Sequence, residues 1–220
     1  MALPTYLEIV NDVLTRMREN NVTTVSQTAT STLVGKFVND AKRQVNDAFD
    51  WSALNSAINV TLVSGQTNNY TLTGSTAKFK IVNIINTTKF YQVGLVSAAR
   101  YDTMYYSTAT PPSTIINYVA LDGLDSNGDQ KVKFYPAPSS ADNVRFSIIV
   151  PETDFVLDND TTKMPEDAII FGALARALVE RGEDGGLSSS EAFGLYRAAL
   201  ADAIAIENSR DPSKYAFEPI

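Results

Sequence analysis

Val45-Asn46-Asp47-Ala48-Phe49-Asp50-Trp51-Ser52-Ala53-Leu54-Asn55-Ser56-Ala57-Ile58-Asn59-Val60-Thr61-Leu62 is the stretch in which the hydrophobic spacing changes from three and four residues to two. Upstream, Val34, Phe37, Val38, Ala41, Val45, Ala48 and Phe49 form one helical stripe, and Lys36, Asp40, Lys42, Arg43 and Asp47 are read on the polar side. Downstream, Ile58, Val60 and Leu62 alternate with Asn59 and Thr61, as in a half-buried strand. A helix over about 33–49 therefore hands over to a β region at Asp50-Trp51. The single tryptophan is expected to cap that junction, where its ring buries a large area and its N–H reaches a carbonyl.

Working toward the N-terminus, residues 22–32 are rich in Thr and Ser with few large apolar groups, and read as a loop. Before it, Thr5 and Glu8 make a capping box, and Tyr6, Val10, Val13, Leu14 and Met17 supply the stripe of a first helix ending near Asn20-Asn21. Met1-Ala2-Leu3-Pro4 runs straight into that polar helix, so no signal peptide is expected. Toward the C-terminus, turns at 65–69, 122–129 and 136–143 separate strands at 58–62, 70–72, 79–84, 114–121, 131–135 and 144–150. A short helical segment at 97–106 interrupts them.

Periodicity returns to 3.6 after residue 158. Pro165 followed by Glu166 and Asp167 opens a third long helix with stripe Ile169, Ile170, Ala173, Leu174, Ala177 and Leu178. Gly182 and Gly185-Gly186 stop it, and Ser188 with Glu191 is read as the capping box of a fourth. Phe193, Leu195, Tyr196, Ala199, Leu200, Ala203, Ile204 and Ile206 give that last helix a broad, Ala-rich apolar face. The resulting expectation is an α+β fold: a four-helix bundle built from N- and C-terminal helical hairpins, an inserted, mostly antiparallel β subdomain, and an extended C-terminal arm. The expected boundaries are 1–56 with 157–210 for the bundle, 57–156 for the β subdomain and 211–220 for the arm.

Composition narrows the chemistry. The 220 residues contain no His and no Cys, which removes the Ser-His-Asp triad, thiolate nucleophiles, disulfides and Cys- or His-based zinc sites. Hydrophobic residues at 44% and charged residues at 20% describe an ordinary globular chain. The formal net charge of −7, with Lys and Arg scattered, argues against a protein that grips nucleic acid through a dense basic face. It leaves room for one that a duplex slides past. The longest apolar-leaning run, 168–179, is broken by Arg176 and falls short of the ~20 residues of a membrane span.

Few motifs survive scrutiny. Asp125-Ser126-Asn127-Gly128-Asp129 resembles a calcium loop, but its glycine comes one place early, no Glu closes it and strands flank it. A hairpin turn around Asn-Gly is the better reading. Asp158 and Asp160, near Glu166 and Asp167, could be posed as a carboxylate pair for glycoside hydrolysis or as magnesium ligands. A solvated loop feeding a helix N-terminus collects acids for dipole reasons alone, and that reading is preferred. No catalytic, cofactor or metal residue is assigned. Tyr101, Tyr105 and Tyr106 are either core or a patch for another subunit, where Tyr is enriched. Tyr215, Phe217 and Ile220, spaced with prolines, suit an extended arm docking into a groove or onto a sheet edge.

Taken together, Phe37-Val38-Asn39-Asp40-Ala41 running to Asp50-Trp51-Ser52-Ala53-Leu54 and into a strand resembles the head-to-tail adaptors of tailed bacteriophages, the tail tubular protein A type of short-tailed phages in particular. Phe134-Tyr135-Pro136-Ala137-Pro138 and Met164-Pro165 before an Ala-rich hairpin look like its later landmarks. The resemblance implies a non-enzymatic virion protein without cofactors, assembled in the host bacterial cytoplasm. It implies a ring, commonly of twelve subunits, in the neck between the portal protein and a tail nozzle or other tail protein. Double-stranded DNA would pass through it without specific binding. It further implies that Arg210, Pro212, Lys214, Tyr215, Phe217 and Ile220 contact the portal, and that Tyr101, Tyr105 and Tyr106 face tail components. The alternatives are another neck or tail-completion protein, or a carbohydrate-binding or carbohydrate-active module using Asp158 and Asp160.

Overall fold

The computed structural model describes residues 3–76, 78–107, 112–182 and 189–210. In chain order the elements are α1 (Tyr6–Arg16), α2 (Ala29–Ala48), β1 (Asn55–Thr61), β2 (Tyr70–Leu72), β3 (Lys80–Asn86), β4 (Tyr91–Gln92), β5 (Gly94–Val96) and α3 (Ala98–Tyr106). There follow β6 (Ser113–Thr114), β7 (Tyr118–Leu124), β8 (Gln130–Tyr135), β9 (Ala137–Pro138), β10 (Asn143–Ile149), α4 (Glu166–Arg181) and α5 (Ser189–Ser209). The fold is mixed α+β and divides into two compact units, Met1–Leu54 with Pro151–Ile220, and Asn55–Val150.

In the helical unit, the capping box of α1 forms as expected, with Glu8 N donating to Thr5 Oγ1 at 3.3 Å and Thr5 N to Glu8 Oε2 at 2.8 Å. Ile9, Val10, Val13 and Leu14 are fully buried, each contributing roughly 1.5–3 kcal/mol of burial. The helix ends four residues short of Asn20, because Met17 caps it and Arg18 turns into the left-handed region with φ 60°. α2 starts earlier than its apolar stripe suggests. Thr28 and Ser31 exchange side-chain and backbone bonds at 3.0 Å, so the helix begins inside the stretch read as loop. The preceding residues are tied to α1 by Asn11, which accepts from Val22 N at 2.8 Å and donates to Val22 O at 3.0 Å.

α4 is the central helix and packs against α1, α2 and α5. Its buried face comprises Ala168, Ile169, Ala173, Leu174 and Ala177. At Gly172 a Cβ would lie 3.1 Å from Ala41 Cβ and 3.2 Å from Tyr196 Cδ2, so the glycine permits close approach of α2 and α5. Pro165 sits one place outside the helix, at the N-cap, instead of in its first turn. Trp51 is buried in this unit, its Nε1 donating to Val45 O at 2.8 Å and its ring edge-on to Phe49 at 5.5 Å. The proposed cap of α5 at Ser188 lies outside the described residues. The broad apolar face of α5 is only partly covered: Ala192 and Tyr196 are buried, Ala199, Leu200, Ala203 and Ile204 are half-buried, and Phe193, Leu195 and Ile206 are exposed.

In the β unit, β1, β10, β3 and β4 form one antiparallel sheet in that spatial order. A second sheet, ordered β2, β8, β7, β5, is antiparallel except for the parallel pair β5 and β7. A short parallel pair, β6 and β9, stands apart from both. Alternating positions of both sheets converge in one core that includes Val60, Leu72, Val132, Phe134, Val144 and Phe146. Phe134 and Phe146, from different sheets, meet edge-on at 6.2 Å. The hairpin between β7 and β8 turns on Asp125, whose Oδ1 accepts from Asn127 N at 2.8 Å and Asp129 N at 2.9 Å, with Gly128 at φ 85°.

Candidate functional site

The acids that sequence reasoning posed for chemistry are spent on backbone. Asp158 Oδ1 accepts from Val25 N at 3.1 Å, and Asp160 Oδ2 accepts from Val156 N at 2.7 Å and Leu157 N at 2.8 Å. Their carbonyls anchor α1, accepting from Leu7 N at 3.1 Å and Tyr6 N at 2.8 Å respectively. The backbone bonds from Leu157 and Val156 hold the Asp160 carboxyl below the usual carboxylate range, whereas a general acid needs its proton near neutral pH. In the hairpin turn, Asp129 Oδ1 accepts from Gly74 N at 3.0 Å and Thr76 N at 3.3 Å. Among the described residues no group of three or more Asp or Glu is placed to hold a metal ion.

The tyrosines divide. Tyr101 is buried, stacks on Tyr105 with centroids 5.7 Å apart, meets Tyr135 edge-on at 6.2 Å and lies under Lys133 Nζ at 4.5 Å. Burial pushes its phenol up. Tyr105 is half-buried, and Tyr106 is 78% exposed, so only the last presents most of its ring to solvent. The arm residues Pro212, Lys214, Tyr215, Phe217 and Ile220 lie outside the described residues. Arg210 directly follows α5, its guanidinium 3.2 Å from Glu207 Oε2.

The surfaces that sequence reasoning missed are apolar ones. Val156 and Leu157 are 81% and 60% exposed in a turn made rigid by Asp160. Phe90 is 87% exposed between β3 and β4. A third such surface is on α5, where Phe193, Leu195 and Ile206 are exposed on a helix whose main partner is α4. Its flanks border two grooves. One, of about 490 Å3, is lined by Phe171, Leu195, Ala199 and Ile206 with Glu166, Asp167 and Asp202. The other, of about 480 Å3, is lined by Phe37, Val179 and Phe193 with Arg176 and Glu180. Burial, then Asp12, Asp167 and Glu8, raise the Glu166 carboxyl. The width of the α5 apolar face, more than one partner can cover, was the signal available in the sequence.

A comparison with curated proteins returned no match. The model of one family, described as SU10 adaptor protein, matches residues 4–216, which takes in both units and nearly the whole chain. The chain belongs to the SU10 adaptor protein family, a family of bacteriophage head-to-tail adaptors.

Proposed function

We propose that the chain is a non-enzymatic structural protein of the virion neck that forms a ring, of twelve copies, between the portal and the tail nozzle or another tail protein. The helices at 1–56 and 157–210 act as a four-helix bundle and make the ring body, the β region at 57–156 extends toward the tail, and the genome passes through the lumen. The single observation that carries this reading is the family match over residues 4–216. Physical support comes from the net charge of −7, since an acidic wall repels the duplex and keeps it from sticking. Further support comes from the uncovered apolar residues of α5, which an isolated subunit leaves in water. No helix among the described residues is long and apolar enough to cross a membrane.

The arm at 211–220, with Arg210 at its root, is assigned to the portal, and Tyr106, with Tyr101 and Tyr105 behind it, to the tail side. Both are tested together. Purified chain mixed with filled, portal-bearing heads should appear by electron microscopy as a ring on the portal axis. Deleting residues 211–220 should leave the fold intact by circular dichroism and abolish attachment. Attachment at full occupancy by the truncated chain would remove the arm assignment, and an unbound full-length chain would remove the adaptor reading.

A further inference from the structure

The ring reading does not say which faces of the subunit meet, and α5 offers a specific answer. Successive residues of a helix are rotated by about 100°. Ala192 and Tyr196, the buried pair, therefore mark the α4-facing stripe. Leu195, Asp202 and Ile206 fall on one flank of that stripe, and Phe193 and Arg197 fall on the other. The two grooves follow the two flanks, the first beside Leu195, Asp202 and Ile206, the second beside Phe193.

The flanks differ in charge as well as position. The first groove carries three carboxylates, Glu166, Asp167 and Asp202, against the one guanidinium of Arg16, which lies 5.0 Å over the Phe171 ring. The second has Arg176 in its lining and Arg197 stacked 4.7 Å over Phe193, against Glu180 as the carboxylate among its described lining residues. Both expose apolar side chains between the charges: Leu195 and Ile206 on the acidic flank, Phe193 and Val179 on the basic one. Like flanks brought together would oppose like charges over apolar surface. Unlike flanks pair carboxylate with guanidinium and bury the same apolar area.

We propose that the occupant of the acidic groove is a second copy of this chain, which inserts its Phe193–Arg197 flank beside Asp202, so that the contact repeats head to tail around a closed ring. A contact between two different patches of the same subunit is heterologous, and heterologous contacts close into rings when the rotation per copy permits. A two-fold contact between like flanks would oppose like charges, and one that paired unlike flanks twice would stop at two copies. The inference rests on the ring reading above and adds to it the pair of surfaces and their direction.

The test exploits the lack of native cysteine. Ala198→Cys, on the acidic groove, and Val179→Cys, on the basic one, are introduced singly and together into the full chain. Each protein is bound to portal-bearing heads and treated with a short flexible bis-maleimide. The double variant should yield a ladder of linked oligomers, and each single variant should stay monomeric on a denaturing gel. Adding Asp202→Lys alone or Arg197→Glu alone to the double-cysteine chain should cut the ladder at least tenfold, and adding both should restore it. Dimers from a single-cysteine variant would mean a two-fold contact and overturn the proposal. A ring visible on the particles without a ladder would overturn it while leaving the adaptor reading in place. Absence of any ring would instead remove the adaptor reading itself.

Discussion

Lys42 is the residue whose substitution best tests the helical unit. Its side chain is 4% exposed and its Nζ lies 2.8 Å from Thr153 O, 3.2 Å from Glu152 Oε2 and 3.8 Å from the centre of the Phe155 ring. Glu152 is fixed in turn: its Oε2 accepts from Thr162 Oγ1 at 2.7 Å and its Oε1 from Lys163 N at 2.9 Å. Lys42→Ala leaves the Thr153 carbonyl without its donor and a 17% exposed carboxylate without its cation. Removing one member of such a pair costs about 3–5 kcal/mol. With a urea slope of ~1–3 kcal/mol per molar, the unfolding midpoint should fall by roughly 2 M. The assay is urea unfolding followed by Trp51 fluorescence, a probe buried in the same unit. Replacing both partners, as Lys42→Met with Glu152→Gln, should recover about 1–3 kcal/mol relative to the sum of the single changes, since the Gln oxygen still accepts from Lys163 N and its amide NH2 can donate to Thr162 Oγ1. A loss under about 1 kcal/mol for Lys42→Ala, or additive singles, would refute the buried pair.

Three further outcomes follow from packing and charge. Trp51→Ala should cost about 3–5 kcal/mol by thermal unfolding, because a buried ring and its bond to Val45 O are lost together; a change within about 0.5 kcal/mol would contradict its burial. At Gly35 an added Cβ would stand 2.7 Å from Val25 Cγ1 and meet the Tyr6 hydroxyl, whose ring is pinned by stacking on Phe155 at 4.9 Å. Gly35→Ala should therefore lose about 1–3 kcal/mol despite its better helix propensity, and a raised Tm would show that the neighbours yield. In the β unit, burial opposes ionisation of Asp142, but bonds from Asn86 and Ser140 and the Lys89 ammonium at 3.2 Å hold its carboxyl below its ordinary value. A folded pKa below the unfolded one, about 3.9, gives stability that is full above that pH and lost as pH falls through the depressed folded value. Asp142→Asn should flatten this acid limb in a pH series of denaturant midpoints, and an unchanged limb would assign the acid sensitivity to other groups.

Much of this protein was legible in local spacing. The change of period after Phe49, the Thr5 and Glu8 cap, the Asn127-Gly128 hairpin and the start of α4 next to Pro165 each depend on a few neighbouring residues and the geometry of one backbone element. The resemblance to phage adaptors rested on the order of such elements, and the family match bears it out. Two further signals are equally local but run against composition. Thr28 and Ser31 form a cap inside a stretch that composition alone presents as loop. Lys42 lies four residues after Val38 and three before Val45, on the buried stripe, although its charge suggested the polar side.

What the sequence by itself determined is therefore where helices and strands form and which residues share a face. Only the tertiary structure decided which of those faces are covered. α5 has an apolar surface broader than its contact with α4: Ala192 and Tyr196 are buried, whereas Phe193, Leu195 and Ile206 stay exposed. Tyr101 is buried while Tyr106, five residues on along the same helix, stands in water. Lys42 enters the interior because Glu152, Thr153 and Phe155 arrive there from more than a hundred residues away. Periodicity is a property of one segment and its backbone, whereas burial is a property of what else the chain brings to that segment.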